Sequence, residues 1–166
     1  MPEGLRSLAI STTVNGVRRE LEVEAGETLA QLLRERLSLT GTKVSCGVQI
    51  CGACAVLLDG LSVSACTVLA AEADGREIRT VEGLAQNGVL APLQRAFIEC
   101  GAFQCGYCTP GFLVACTELL ERNPDPDEET IRSWLEGNIC RCTGYRSIVE
   151  AVRRVAGWQA HGARHE

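Results

Sequence analysis

A chain of 166 residues, 46% hydrophobic and 22% charged, has the balance of a globular protein and room for one ordinary domain or two small ones. Its formal charge of −5, with no basic stripe to set against it, excludes nucleic acid as the natural partner. No stretch approaches the roughly 20 apolar residues of a membrane span, and the start MPEGLRSLAI lacks the features of a secretory signal, so the expected compartment is the cytoplasm.

Leu8, Ile10, Thr12 and Val14 alternate with polar residues, Asn15-Gly16 supplies a two-residue turn, and Val17, Arg19, Leu21 and Val23 resume the alternation. That pattern predicts a β-hairpin. Thr28 and Gln31 make a capping box ahead of a helix whose face is Leu29, Leu32, Leu33 and Leu37. The glycine-rich segment KVSCGVQICGAC follows. A second hairpin, Ala55 to Leu58 and Leu61 to Ser64, is predicted around Asp59-Gly60, with a short strand at Glu77 to Thr80. Residues 1–80 therefore read as a small α+β unit with the helix laid across a mixed sheet.

From Val81 the periodicity turns helical, which predicts a second domain over residues 81–166. Pro92 opens a helix with Leu93, Ala96, Phe97 and Cys100 on one face. Thr109-Pro110 reads as the cap and first-turn proline of another, through Leu113, Cys116 and Leu120, stopped at Asn123-Pro124. Asp127 caps a third, with Ile131, Trp134 and Leu135 inward and Gly137 at its end. A fourth begins near Arg146, turns Ile148, Val152, Val155 and Ala156 inward, and is expected to stop at Gly157. A frayed tail from about residue 158 would then carry His161 and His165 in solvent. Short connections favour antiparallel neighbours, so the loops after the first and third of these helices are expected at one end.

Ten cysteines in a reducing compartment point to metal or redox chemistry. Eight of them fall into two sets of four. Cys46, Cys51 and Cys54 form C-x4-C-x2-C, with Cys66 following, which is the plant-type ferredoxin spacing for a 2Fe–2S cluster. Zinc sites more often pair two short knuckles, and three thiols crowded into one loop fit that poorly. The second set is Cys105 and Cys108 in QCGYCTPG with Cys140 and Cys142 in ICRCTGY, on the two loops expected to meet. Spacing alone leaves either metal open there.

Gly47, Gly52 and Gly106 are expected to turn backbone amides towards sulfur. Lys43 and Arg141 either stabilise a reduced cluster or are solvated charges beside a loop. Cys100 and Cys116 lie on apolar helix faces and read as small hydrophobes. No histidine falls within the folded segments to activate a nucleophile, so the chain itself is expected to make and break no substrate bonds.

With CGVQICGAC, Cys66, QCGYCTPG and GNICRCTGY in this order, the chain resembles the iron–sulfur subunit of the xanthine oxidase family of molybdenum hydroxylases, from the first hairpin to about Gly157. The resemblance implies a β-grasp, plant-type ferredoxin-like domain followed by an all-α four-helix-bundle domain, each with a 2Fe–2S cluster. It implies that the helical-domain cluster adjoins a molybdenum–pterin cofactor, in the cytosine dinucleotide form, on a large subunit. The ferredoxin-like cluster would lie nearer FAD on a medium subunit, in a heterotrimer or its dimer. By the same match Gln104 would hydrogen-bond the pterin, and Cys142 would touch it while binding iron. The competing readings are a stand-alone two-cluster ferredoxin and a zinc-stabilised interaction module. Val48 and Ile50 stand where relatives often carry polar or acidic residues, and Ala55 where threonine is common, so the substrate of the complex stays open.

Overall fold

The computed structural model describes residues 7–162, with side chains as far as residue 157. β1 (Ser7–Val14) and β2 (Val17–Glu24) pair antiparallel through Asn15-Gly16, where φ is 50° and 78°. Two left-handed residues match the turn to the twist of the strands, as the sequence predicts. β3 (Ala55–Leu58) and β4 (Leu61–Ser64) use Asp59-Gly60 in the same way, at 51° and 81°. β5 (Glu77–Arg79) joins the hairpins, parallel to β1 and antiparallel to β3, in one mixed sheet of order β2-β1-β5-β3-β4.

α1 (Leu29–Gln31) opens with the predicted capping box: the Gln31 amide donates to Thr28 Oγ1 at 3.2 Å and the Thr28 amide to Gln31 Oε1 at 2.9 Å. Beyond it the backbone widens into π-type turns over Leu32–Arg36. In this winding Leu29, Leu32 and Leu33 are fully buried with Ile10, Val23, Val56, Leu58 and Ile78, while Leu37 is half-buried.

α2 (Pro92–Glu99), α3 (Thr109–Arg122), α4 (Glu128–Trp134) and α5 (Arg146–Gly162) surround a second core that includes Phe97, Phe112, Leu119, Ile131 and Ile148. Asp127 Oδ1 caps α4 by accepting from the Thr130 amide at 2.8 Å. Asn123, extended at φ −135° and ψ 96° before Pro124, ends α3. Two expectations fail. Thr109 is not a cap, because Cys108 before it already has helical dihedrals (φ −82°, ψ −17°) and the Thr109 hydroxyl has no partner. Gly157 does not stop α5, which runs on to Gly162. One helical glycine costs only about 1 kcal/mol relative to alanine, and the preceding turn is anchored by buried Val155 and Ala156. The tail read as frayed from 158 is thus helical to Gly162, and His165 lies outside the described residues.

The two cores meet across β3, whose side chains alternate between them. Val56 and Leu58 join α1, whereas Ala55 and Leu57 pack on Val114 of α3. Beside this contact the Ser62 amide donates to the buried carboxylate of Glu118 at 2.8 Å, and Arg79 Nη2 donates to both oxygens of Glu121.

Candidate metal centres

Cys46, Cys51 and Cys54 occupy the loop from α1 to β3, and Cys66 lies just past β4. The loop is tied to that strand end by the Ala65 amide donating to Cys54 O at 3.3 Å. Gly47 and Gln49 take φ of 66° and 60°, and the resulting turn aims the amides of Val48 and Ile50 at Cys46 Sγ, each at 3.4 Å; Gly52, at φ 69°, follows these amides in the chain. Those two amides, with the amide and thiol of Cys51, lower the Cys46 thiol to about 6, so it is a thiolate at neutral pH. Burial pushes Cys54 up to about 11; the Cys66 amide opposes this and the sulfurs of Cys66 and Cys51 reinforce it.

Cys105 and Cys108 lie between α2 and α3, and Cys140 and Cys142 lie between α4 and α5. The structure brings these distant pairs together, with Cys142 Sγ 3.7 Å from Cys105 Sγ. Burial pushes Cys108 up to about 12, helped by the thiol and then the charge of Cys140. Burial acts the same way on Cys140, but the Thr143 hydroxyl at 3.2 Å and amide at 3.4 Å, with the Cys142 amide, outweigh it and hold the thiol below its ordinary value. The Cys142 thiol is raised, chiefly by that of Cys105. Tyr145 accepts the Cys140 amide on its hydroxyl at 3.0 Å and meets Phe112 edge-on, which fastens this loop to the helical core.

Within each quartet the thiols approach in twos: Cys46 with Cys51, Cys54 with Cys66, Cys105 with Cys142, and Cys108 with Cys140. Two sulfurs held tetrahedrally at about 2.3 Å from one metal stand about 3.8 Å apart, and the Cys105–Cys142 separation of 3.7 Å fits that. Among the described residues no three Cys, His, Asp or Glu side chains gather closely enough to hold a single ion. Soft donors arranged as two pairs, with amides directed at sulfur, suit a two-iron cluster. Thr109 Oγ1, enclosed beside Cys108 without a partner, leaves one more donor there.

Gln104 is exposed and donates Nε2 to Cys142 O at 3.0 Å, which places it across the exposed Cys105–Cys142 pair. Lys43 turns its amine to Thr40 O at 2.8 Å, and Arg141 is exposed. Cys116 is fully buried, which raises its thiol, and Cys100 is half-buried at the end of α2. Sequence reasoning missed the residues that tie the two cysteine loops together. The Ile139 amide donates to Cys51 O at 2.9 Å, Asn138 Nδ2 to Gly52 O at 3.3 Å, and the Tyr107 hydroxyl to Val44 O at 2.6 Å. Their one signal was adjacency to a cysteine.

A mixed sheet and a helical half, each presenting four thiols, define an iron–sulfur protein. Residues 12–91 match a 2Fe-2S iron-sulfur cluster binding domain and residues 80–153 a second 2Fe-2S binding domain. The nicotine 6-hydroxylase small subunit of Paenarthrobacter nicotinovorans is 54% identical over 148 residues, 89% of either chain. The xanthine dehydrogenase iron-sulfur-binding subunit of Escherichia coli is 45% identical over 151 residues, 88% of this chain and 92% of that one. A chain in the crystal structure of quinoline 2-oxidoreductase from Pseudomonas putida 86 superposes with a TM-score of 0.89 at 42% identity, covering 94% of this chain and 98% of that one. The chain belongs to the small iron–sulfur subunits of the xanthine dehydrogenase family of molybdenum hydroxylases. It is accordingly the iron–sulfur subunit of an oxidoreductase complex. No helix among the described residues is long and apolar enough to cross a membrane.

Proposed function

We propose that this chain carries two 2Fe–2S clusters and passes electrons one at a time from a molybdenum–pterin subunit towards an FAD subunit. Cys46, Cys51, Cys54 and Cys66 hold one cluster in a ferredoxin-like domain ending near residue 80. Cys105, Cys108, Cys140 and Cys142 hold the other in a four-helix-bundle domain. The observation that carries the reading is the meeting of Cys105 and Cys142 at 3.7 Å on an exposed end of the helical half. Hydroxylation at molybdenum takes two electrons from a substrate and each cluster carries one, so two clusters in series deliver them singly.

The residues of this chain have separate duties in that relay. Cys105 and Cys142 present the helical cluster to the pterin, and Gln104, braced on the Cys142 carbonyl, orients it. The Val48 and Ile50 amides favour charge on the first cluster, while their exposed apolar side chains offer a rim to the FAD subunit. The substrate pocket belongs to the molybdenum subunit, and the complex is a cytoplasmic heterotrimer or its dimer. Low-temperature EPR of the dithionite-reduced protein, with iron and sulfide counted on the same sample, tests this. Two distinct 2Fe–2S signals with matching iron are expected. One signal with zinc making up the remainder would overturn it.

A further inference from the structure

Cys140 is the most enclosed thiol of the second quartet: it is buried, Cys108 is half-buried, and Cys105 and Cys142 are exposed. A hydrogen bond to a buried sulfur acts in a low-dielectric surrounding, where water cannot take the place of a lost donor. Thr143 supplies two such bonds, its amide reaching Cys140 Sγ at 3.4 Å and its hydroxyl at 3.2 Å. A hydroxyl can turn among several acceptors, but this one is committed. The Tyr145 amide donates to Thr143 Oγ1 at 3.3 Å, which occupies the oxygen and leaves the hydroxyl hydrogen for the sulfur. Tyr145 holds φ 68°, uncommon for so large a side chain, directly after Gly144 at 65°, and this turn brings its amide back onto Thr143. The Cys140 amide closes the circuit by donating to the Tyr145 hydroxyl at 3.0 Å, and the Tyr145 ring is braced edge-on against Phe112.

We propose that Thr143 is a potential-setting residue whose hydroxyl, through Cys140 Sγ, holds the reduced form of the helical-domain cluster more stable than backbone amides alone would. The inference rests on the two-cluster reading above. Reduction adds one electron, and the added charge spreads onto the ligand sulfurs. A hydrogen bond donated to sulfur is therefore stronger in the reduced state than in the oxidised one, which raises the potential. The electron arrives from the molybdenum subunit, which is oxidised, and leaves for the ferredoxin-like cluster, which is reduced. No covalent bond forms or breaks, and the proton stays on Thr143 Oγ1. A higher potential favours arrival and disfavours departure, so Thr143 sets the balance between the two steps.

The test is a redox titration of the intact complex followed by EPR. Thr143→Val keeps the shape and removes the hydroxyl, and Thr143→Ser keeps the hydroxyl. Thr143→Val is expected to retain its iron and both signals. Its helical cluster should shift about tenfold towards the oxidised form at a given potential, about 59 mV for one electron. The ferredoxin-like cluster should keep its midpoint, and Thr143→Ser should restore that of the helical cluster. In the unaltered protein, a brief soak in D2O exchanges hydroxyls before hydrogen-bonded amides. Electron–nuclear double resonance of the reduced helical cluster should then show a strongly coupled deuteron.

An unchanged helical midpoint in Thr143→Val at full iron content would overturn the assignment. So would an equal fall in Thr143→Ser, since disturbance of the loop would then account for it without the hydroxyl. If Thr143→Val fails to hold its iron, the deuteron decides, and its absence from the unaltered protein overturns the assignment. A single 2Fe–2S signal from the unaltered protein would instead sink the two-cluster reading on which it rests.

Discussion

Cys46, Cys54 and Cys108 are chemically one residue type, yet their neighbours set them far apart. Three backbone amides bring Cys46 to about 6, while burial takes Cys54 to about 11 and Cys108 to about 12. In the chain freed of iron under reducing conditions, alkylation follows the thiolate. A thiol is charged above its pKa, so with Cys46 near 6 its modification should rise through pH 6 and level off by neutrality, well before Cys54 and Cys108 react. Mass-spectrometric mapping against pH checks this, and equally fast labelling of Cys54 would refute it. Gln104→Ala, which frees the Cys142 carbonyl, should leave both cluster signals intact and slow substrate-driven reduction of the helical cluster. Unchanged stopped-flow reduction would remove Gln104 from the site. The thiols were legible because spacing is a covalent property. Gln104 was singled out only through the family resemblance, because an exposed glutamine in a loop has no periodicity or spacing of its own.

At the scale of elements, what the sequence encodes locally is what appears. Asn15-Gly16 and Asp59-Gly60 demand left-handed backbone and obtain it, and the Thr28–Gln31 box closes as its side chains dictate. The π-type widening over Leu32–Arg36 was not legible, since packing on the sheet overrides the intrinsic helical repeat. Glycine illustrates the same divide. Replacing a helical glycine with alanine ordinarily stabilises by up to about 1 kcal/mol, and Gly157→Ala should raise the Tm, for a Cβ there meets nothing within 4 Å. Gly111→Ala, also in a helix, should reverse the sign because its Cβ strikes Gly52 O. Overpacking of this kind costs about 1–3 kcal/mol. Thermal unfolding should show the fall in Tm, and the first cluster's EPR line shape should change before the second's. A Tm that rises in both variants would show that Gly52 can move aside.

Over the whole molecule, the sequence divides at residue 80 and the structure joins what it divides. The run Ala55–Leu58 read as one strand of a hairpin, but both of its faces are buried, one against each core. The joint itself rests on glycines opposite backbone carbonyls, a matter of shape that no spacing announces. Around it lies a rim of Val44, Val48, Ile50, Tyr107 and Ile139, between 41% and 64% exposed. Scattered exposed apolar residues need no explanation, but these are tied to one another. Tyr107 bonds the Val44 backbone, and Ile139 bonds Cys51 beside Ile50. Val48 and Ile50 flank Cys46, where the proposed relay would hand its electrons to the FAD subunit. Ile50→Asp should therefore preserve iron content and both EPR signals while the FAD subunit is lost on co-purification and the molybdenum subunit stays bound. Val17→Asp, also exposed, at 51% against 64% for Ile50, but at the tip of the β1–β2 hairpin, should leave the complex whole. If Ile50→Asp also purified as the full complex, the FAD subunit would have to dock elsewhere, and the exit for electrons would lie away from Cys46.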